Sequence, residues 1–235
     1  MMRIEMRPEI SHDALILFDE RWIEFKNLIE FLMLKRGHKQ VIRLVGQSAL
    51  LNKLKALALR ADLEILTSQF MLEDVRKSTT FDIFQKFVPW NDQLELDYVI
   101  YIGNPKAVSQ AKEVEEKGCN DQDTANIYGY PLCCAESYNR IQGGENWMKV
   151  YLEGANKLHY SYHLNKIALL FPPHLTLHQD YFPCSVQCKL STEMVLLAEQ
   201  LLIEEEMNEI LSILIQHLCS LCLLFQDRIW YFSSY

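Results

Sequence analysis

The chain has 235 residues, 49% of them hydrophobic and 23% charged. That balance supports a buried core and excludes a disordered chain. Its 23 basic and 31 acidic residues leave a formal net charge of −8. This excludes a generally basic surface, so no nucleic-acid partner is expected. Eight glycines and seven prolines exclude fibrous and linker-dominated classes.

In the first hundred residues two textures alternate. Ala14–Phe18 is a short apolar run. Over Asp19–Arg36, Trp22, Phe25, Ile29, Leu32 and Met33 recur at helical spacing, and Gly37 suits the stop. Gln40–Val45 reads as a strand, Ser48–Leu59 as a helix, and Asp62–Leu66 as a second strand. Arg76–Gln93 carries no clear pattern before Pro89-Trp90-Asn91 breaks it. Leu96–Ile102 is the clearest strand, stopped by Gly103-Asn104-Pro105, and Lys106–Lys117 is a charged helix. Strands alternating with helices predict an α-rich α/β fold with a small parallel N-terminal layer. After Gly118 the pattern predicts helices and loops without a strand. A soft boundary therefore falls near 118, giving an α/β part over 1–118 and a mostly helical part over 119–235. Val45-Gly46-Gln47-Ser48 reads as a plain strand-to-helix turn, since it lacks the spacing of the glycine-rich phosphate loops.

Early acidic residues, Glu5 and Glu9, and the lack of a long apolar run argue against a signal peptide, so a cytoplasmic protein is expected. Ile210–Phe225 has 16 residues without a formal charge. That is short of the ~20 that span a bilayer, so no membrane insertion is expected. Ser212, Gln216 and Ser220 repeat every four residues, which predicts a helix over about 207–225 that is buried or serves a homodimer face.

Seven cysteines in a chain without an export signal point to thiols or metal ligands rather than disulfides. Two segments stand out: Gly129-Tyr-Pro-Leu-Cys-Cys134 and Tyr181-Phe-Pro-Cys-Ser-Val-Gln-Cys-Lys-Leu-Ser191. Pro131 suits the first turn of a helix running to about Ile141. Ser185 suits an N-cap, with Leu190, Met194, Leu197 and Leu201 following at helical spacing. Cys133, Cys134, Cys184 and Cys188 then all lie at helix N-termini, where the dipole favours thiolate. Four thiolates suit zinc or an iron–sulfur cluster. Adjacent Cys133 and Cys134 depart from the zinc-knuckle spacing and fit a larger [4Fe-4S] cluster better. Cys219-Ser-Leu-Cys222 lies within the expected apolar helix and reads as core, and Cys119 reads as incidental.

The pattern Gly129-Tyr130-Pro131-x-Cys133-Cys134, followed by Phe182-Pro183-Cys184-Ser185-x-x-Cys188-x-x-Ser191, resembles that of the DUF483 proteins of archaea and bacteria. The likeness covers about residues 95–200. It implies that the cysteines act as a unit in a prokaryotic-type protein, and it implies no particular reaction.

His159 and His163 stand four apart, but no glutamate follows the first as in the H-E-x-x-H motif. Asn165 and Lys166 can orient a substrate carboxylate. His174 and His178, in the stretch leading to Cys184, are the candidate catalytic acid/base residues. Three readings follow. The first is an iron–sulfur enzyme that reduces a small-molecule substrate, with an external electron donor, or transfers sulfur to it. The second is a metal-free thiol, disulfide or persulfide enzyme. The third is a non-enzymatic module stapled by zinc or a cluster.

Overall fold

The computed structural model describes residues 8–76, 83–91, 93–118, 120–141, 184–185, 188–212, 220–225 and 228–233. In chain order these form α1 (Pro8–Asp19), α2 (Phe25–Lys35), β1 (Val41–Gly46), α3 (Ser48–Arg60), β2 (Glu64–Arg76), β3 (Ile83–Pro89), β4 (Asp97–Gly103), α4 (Pro105–Lys117), α5 (Asp121–Tyr128), α6 (Leu132–Ile141), α7 (Lys189–Glu204), β5 (Ser220–Phe225) and β6 (Arg228–Ser233). The fold is mixed α/β. The chain divides into two compact units, Met1–Asp13 with Leu34–Tyr130, and Ala14–Met33 with Pro131–Tyr235.

The first unit holds a four-stranded sheet in the order β1-β4-β2-β3. Every pairing in it is antiparallel, which overturns the expected parallel layer. The helix between β1 and β2 does make those two strands run in the same direction. They are not neighbours, however, because β4 inserts between them and opposes both. β3, in the stretch without a clear pattern, folds back on β2 as a hairpin and takes the edge.

β4 is the central strand, and its residues from Tyr98 to Gly103 are all buried. Val41, Val99 and Tyr101 pack with Val108 and Ala111 of α4 and Tyr128 of α5. By the two-residue period of a strand, Ile42, Leu44, Ile100 and Ile102 point to the opposite face, and all four are buried. Gly103 is a steric requirement, since a Cβ there would sit 2.3 Å from the Gln40 carbonyl oxygen and 2.7 Å from the Val41 Cα. β2 carries a bulge where its register with β4 slips between Thr67 and Met71. The lost ladder partner of Val99 is replaced by a side chain: the Val99 N–H donates to Ser68 Oγ at 3.1 Å, and the Ser68 hydroxyl donates to the Phe70 carbonyl at 2.6 Å.

One carboxylate ties this unit together. Glu115 on α4 accepts from Arg43 Nε at 2.6 Å, from the Tyr101 hydroxyl at 2.5 Å and from the Tyr128 hydroxyl at 3.2 Å. Burial, then the Glu115 charge and hydrogen bond, push the Tyr101 phenol far above its ordinary value.

In the second unit, the described core includes Leu28, Phe31 and Leu32 of α2 and Val195, Ala198 and Leu202 of α7. Trp22, expected on the buried face of its helix, lies in the turn after α1 and is 38% exposed. The C-terminal helix expected over 207–225 does not form as one element. Residues 208–212 are helical, but Ser220–Phe225 is a strand paired antiparallel with Arg228–Ser233. A short charge-free run suits a strand as well as a helix, and the decisive signal is its neighbour. Arg-Ile-Trp-Tyr-Phe-Ser, rich in aromatic and β-branched residues, follows after a two-residue link, which is hairpin spacing. The helical face proposed for a homodimer is therefore not present in that form, and Cys222 lies in a strand rather than mid-helix. No helix among the described residues is long and apolar enough to cross a membrane.

Candidate metal centre

Gly129 ends α5 in the left-handed conformation at φ 71°, and the Tyr130 N–H bonds back to the Ala125 carbonyl. The Pro131 carbonyl then accepts from the N–H groups of Cys134 and Ala135 and opens α6. This places Cys133 and Cys134 in the first turn of α6, as the sequence predicts.

The second segment differs in detail from expectation. α7 begins at Lys189, not after Ser185. The Cys188 N–H bonds to the Ser185 carbonyl in a turn, and the Cys188 carbonyl accepts the first helical bond, from Thr192. Cys188 is thus itself the N-cap residue of α7. The turn leaves the Cys184 N–H free of helical pairing, and it donates to Cys134 Sγ at 3.3 Å.

The four sulfurs converge. Cys134 and Cys188 Sγ are 3.5 Å apart, Cys133 and Cys188 3.8 Å, and Cys133 and Cys134 3.9 Å. All four lie within 4.8 Å of one another, an arrangement compatible with a metal site. Cys134 and Cys188 are buried, Cys184 is half-buried and Cys133 is exposed. Ser191, which is buried, sets its hydroxyl 3.3 Å from Cys134 Sγ. Its place in the motif was visible in the sequence, but its role was not. The signal was a serine three residues after Cys188 in the first turn of a helix.

The thiols are differentiated. Burial pushes Cys134 well above the ordinary thiol value, against the opposing bonds from Ser191 and the Cys184 N–H. Burial and the neighbouring Cys188 and Cys133 raise Cys184 to about 11. Burial also opposes ionisation of Cys188, but bonds to Ser191, Cys134 and Cys184 outweigh it and bring that thiol down to about 7. Ser137, one turn further along α6, has a buried hydroxyl without a hydrogen-bond partner among the described residues.

The four cysteines named from sequence are therefore brought together. His159, His163, Asn165, Lys166, His174 and His178 lie outside the described residues. No family model, curated protein or solved structure matches the chain.

Proposed function

We propose that Cys133, Cys134, Cys184 and Cys188 hold one thiophilic metal centre that staples the start of α6 to the start of α7. The observation that carries this reading is the mutual spacing of the sulfurs. Metal–sulfur bonds of about 2.3 Å in a tetrahedron set the sulfurs roughly 3.8 Å apart, and the separations among Cys133, Cys134 and Cys188 are 3.5, 3.8 and 3.9 Å. A single ion such as zinc fits that frame. Four protein ligands leave no open position, which is the arrangement of a structural site. Bound there, the metal would supply folding free energy. The chain's own contribution is to gather two helix starts, to bury Cys134 and Cys188, and to aim the Cys184 N–H and the Ser191 hydroxyl at Cys134. Membership of the DUF483-type family is part of this proposal and rests on the motif.

The exposure of Cys133 favours a second reading. A [4Fe-4S] cluster on the same residues would have one face open to an electron donor or small-molecule substrate, for reduction or sulfur transfer, with His174 or His178 as proton donor. It requires the sulfurs to spread to roughly 6 Å, the span of a cube ligated at its corners.

One experiment tests both. The full chain is purified without oxygen and assayed for zinc, iron, sulfide and free thiols, and its visible spectrum is recorded. One zinc per chain, lost in Cys134→Ser, supports the first reading. Exchange for cobalt should then produce the visible bands of a tetrahedral thiolate site. Four iron and four sulfide per chain with broad visible absorbance would replace it with the second. Seven freely titrating thiols after reconstitution with either metal, instead of the three that lie outside the site, would overturn both and leave metal-free thiol chemistry.

A further inference from the structure

The four sulfurs of the cysteine cluster differ in what can reach them. Cys133 is exposed, Cys184 is half-buried, and Cys134 and Cys188 are buried. Cys134 Sγ also accepts from the Cys184 N–H at 3.3 Å and faces the Ser191 hydroxyl at the same distance. A donor aimed at a thiolate stabilises its charge, and the sulfur becomes a weaker nucleophile. Cys133 lacks such partners among the described residues. Its neighbours there are other sulfurs, Cys188 at 3.8 Å and Cys134 at 3.9 Å. The sulfur most open to solvent is therefore also one that no N–H or O–H group of the described residues quiets.

The backbone decides which thiol an oxidised Cys133 can pair with. Cys134 is its sequence neighbour, and neighbouring Cα atoms stand about 3.8 Å apart across a trans peptide. Disulfides span roughly 4.4–6.8 Å between Cα atoms. A Cys133–Cys134 bridge would therefore distort the first turn of α6, where the Cys134 N–H bonds to the Pro131 carbonyl at 2.8 Å. Cys188 carries no such constraint. It is the N-cap residue of α7, on a separate segment, with its sulfur 3.8 Å from that of Cys133. Cys134 and Cys188 are closer to each other, at 3.5 Å, but both are buried, so neither meets an oxidant first.

Given the metal centre proposed above, on which this rests, we infer that Cys133 is an oxidation site for hydroperoxides and Cys188 its resolving thiol. The Cys133 thiolate attacks one peroxide oxygen. An S–O bond forms, the O–O bond breaks, and the leaving alkoxide or hydroxide takes a proton from water. The product at Cys133 is a sulfenic acid. The Cys188 thiolate then attacks that sulfur. The S–S bond forms, the S–O bond breaks, and hydroxide leaves and takes a second proton. Two thiolates have lost two electrons, and the peroxide has become an alcohol and water, or two waters. The disulfide leaves Cys134 and Cys184 as the remaining thiolates of the site. A structural zinc site uses four ligands, so two are too few to retain the ion. A thiol reductant restores both thiolates by exchange, and the site refills.

The test starts from the full-length, zinc-loaded protein, with its zinc counted before any oxidant is added. Hydrogen peroxide is then supplied with and without dimedone, which traps sulfenic acid. A chromophoric chelator follows zinc release, and mass spectrometry maps labels and disulfides. The first label should fall on Cys133, about tenfold or more ahead of Cys134, Cys184 and Cys188, because exposure and nucleophilicity set the order. Without dimedone, a Cys133–Cys188 disulfide should form in step with zinc release, and dithiothreitol with added zinc should reverse both. Cys133→Ser should slow peroxide-driven release about tenfold. That variant also loses a ligand, so the label order in the parent protein carries the test. First labelling of Cys134, Cys184 or Cys188, a disulfide of different pairing, or zinc retained once Cys133 is oxidised would overturn the inference and leave the metal centre standing. A chain that takes up no zinc would overturn the metal centre, and this inference with it, before peroxide is added.

Discussion

Glu115 in the first unit and Cys134 in the second are each the focus of a polar cluster, but their surroundings are finished to different degrees. Glu115 accepts one guanidinium and two phenol donors, so its charge is answered within the fold. Cys134 faces two other sulfurs, a serine hydroxyl and one backbone N–H. Thiols are weak donors and weak acceptors, so gathering four of them gains little by itself. The first cluster stabilises through protein groups alone, whereas the second has an arrangement compatible with a metal site.

The largest effect expected from this contrast is metal removal. A strong chelator, or Cys134→Ser, should cost the second unit several kcal/mol, because binding free energy at a structural zinc site is also folding free energy. Amide exchange should accelerate in α6 and α7 while β1, β4 and α4 stay protected. Uniform acceleration, or none, would remove the contrast.

Glu115→Ala comes next. It removes the carboxylate acceptor shared by Arg43, Tyr101 and Tyr128 and should destabilise the first unit by about 2–3 kcal/mol, the cost of losing bonds to a charged, partly buried group. Metal content should be unchanged. Denaturant unfolding together with zinc analysis checks both halves of this expectation.

The smallest effect is that of Tyr101→Phe, about 1 kcal/mol near neutrality. Its signature is in the pH profile. The folded Tyr101 phenol is raised above its unfolded value. Its contribution is therefore fully present below about pH 10, the ordinary phenol value, and is lost as pH rises towards the folded value. The variant should lose stability less steeply than the parent above about pH 10. Parallel alkaline limbs would show that Tyr101 does not carry this dependence.

Local patterns identified much of the first unit. Gln40–Val45, Ser48–Leu59, Leu96–Ile102 and Lys106–Lys117 each match an observed element to within about two residues, because strand runs, helical spacing and the Gly103-Asn104-Pro105 stop are all local signals. The four-cysteine site was legible for the same reason: two Pro-led segments each carry two thiols near a helix start. Cys188 as N-cap was not legible, because Ser185 offers a better capping side chain and only the turn between them delays the helix. The C-terminal hairpin is not legible from the apolarity of Ile210–Phe225 alone, because its strand forms only against Arg228–Ser233 as a pairing partner.

The sequence by itself determined where β1, α3, β4 and α4 form and that Cys133, Cys134, Cys184 and Cys188 belong together. Those outcomes follow from backbone preferences and side-chain spacing within a few residues. Tertiary structure decided the direction of the sheet, which turns on β4 entering between β1 and β2. It also decided the pairing of Glu115 with residues from three other elements. These depend on which distant segments meet, and no local period in the chain encodes that choice.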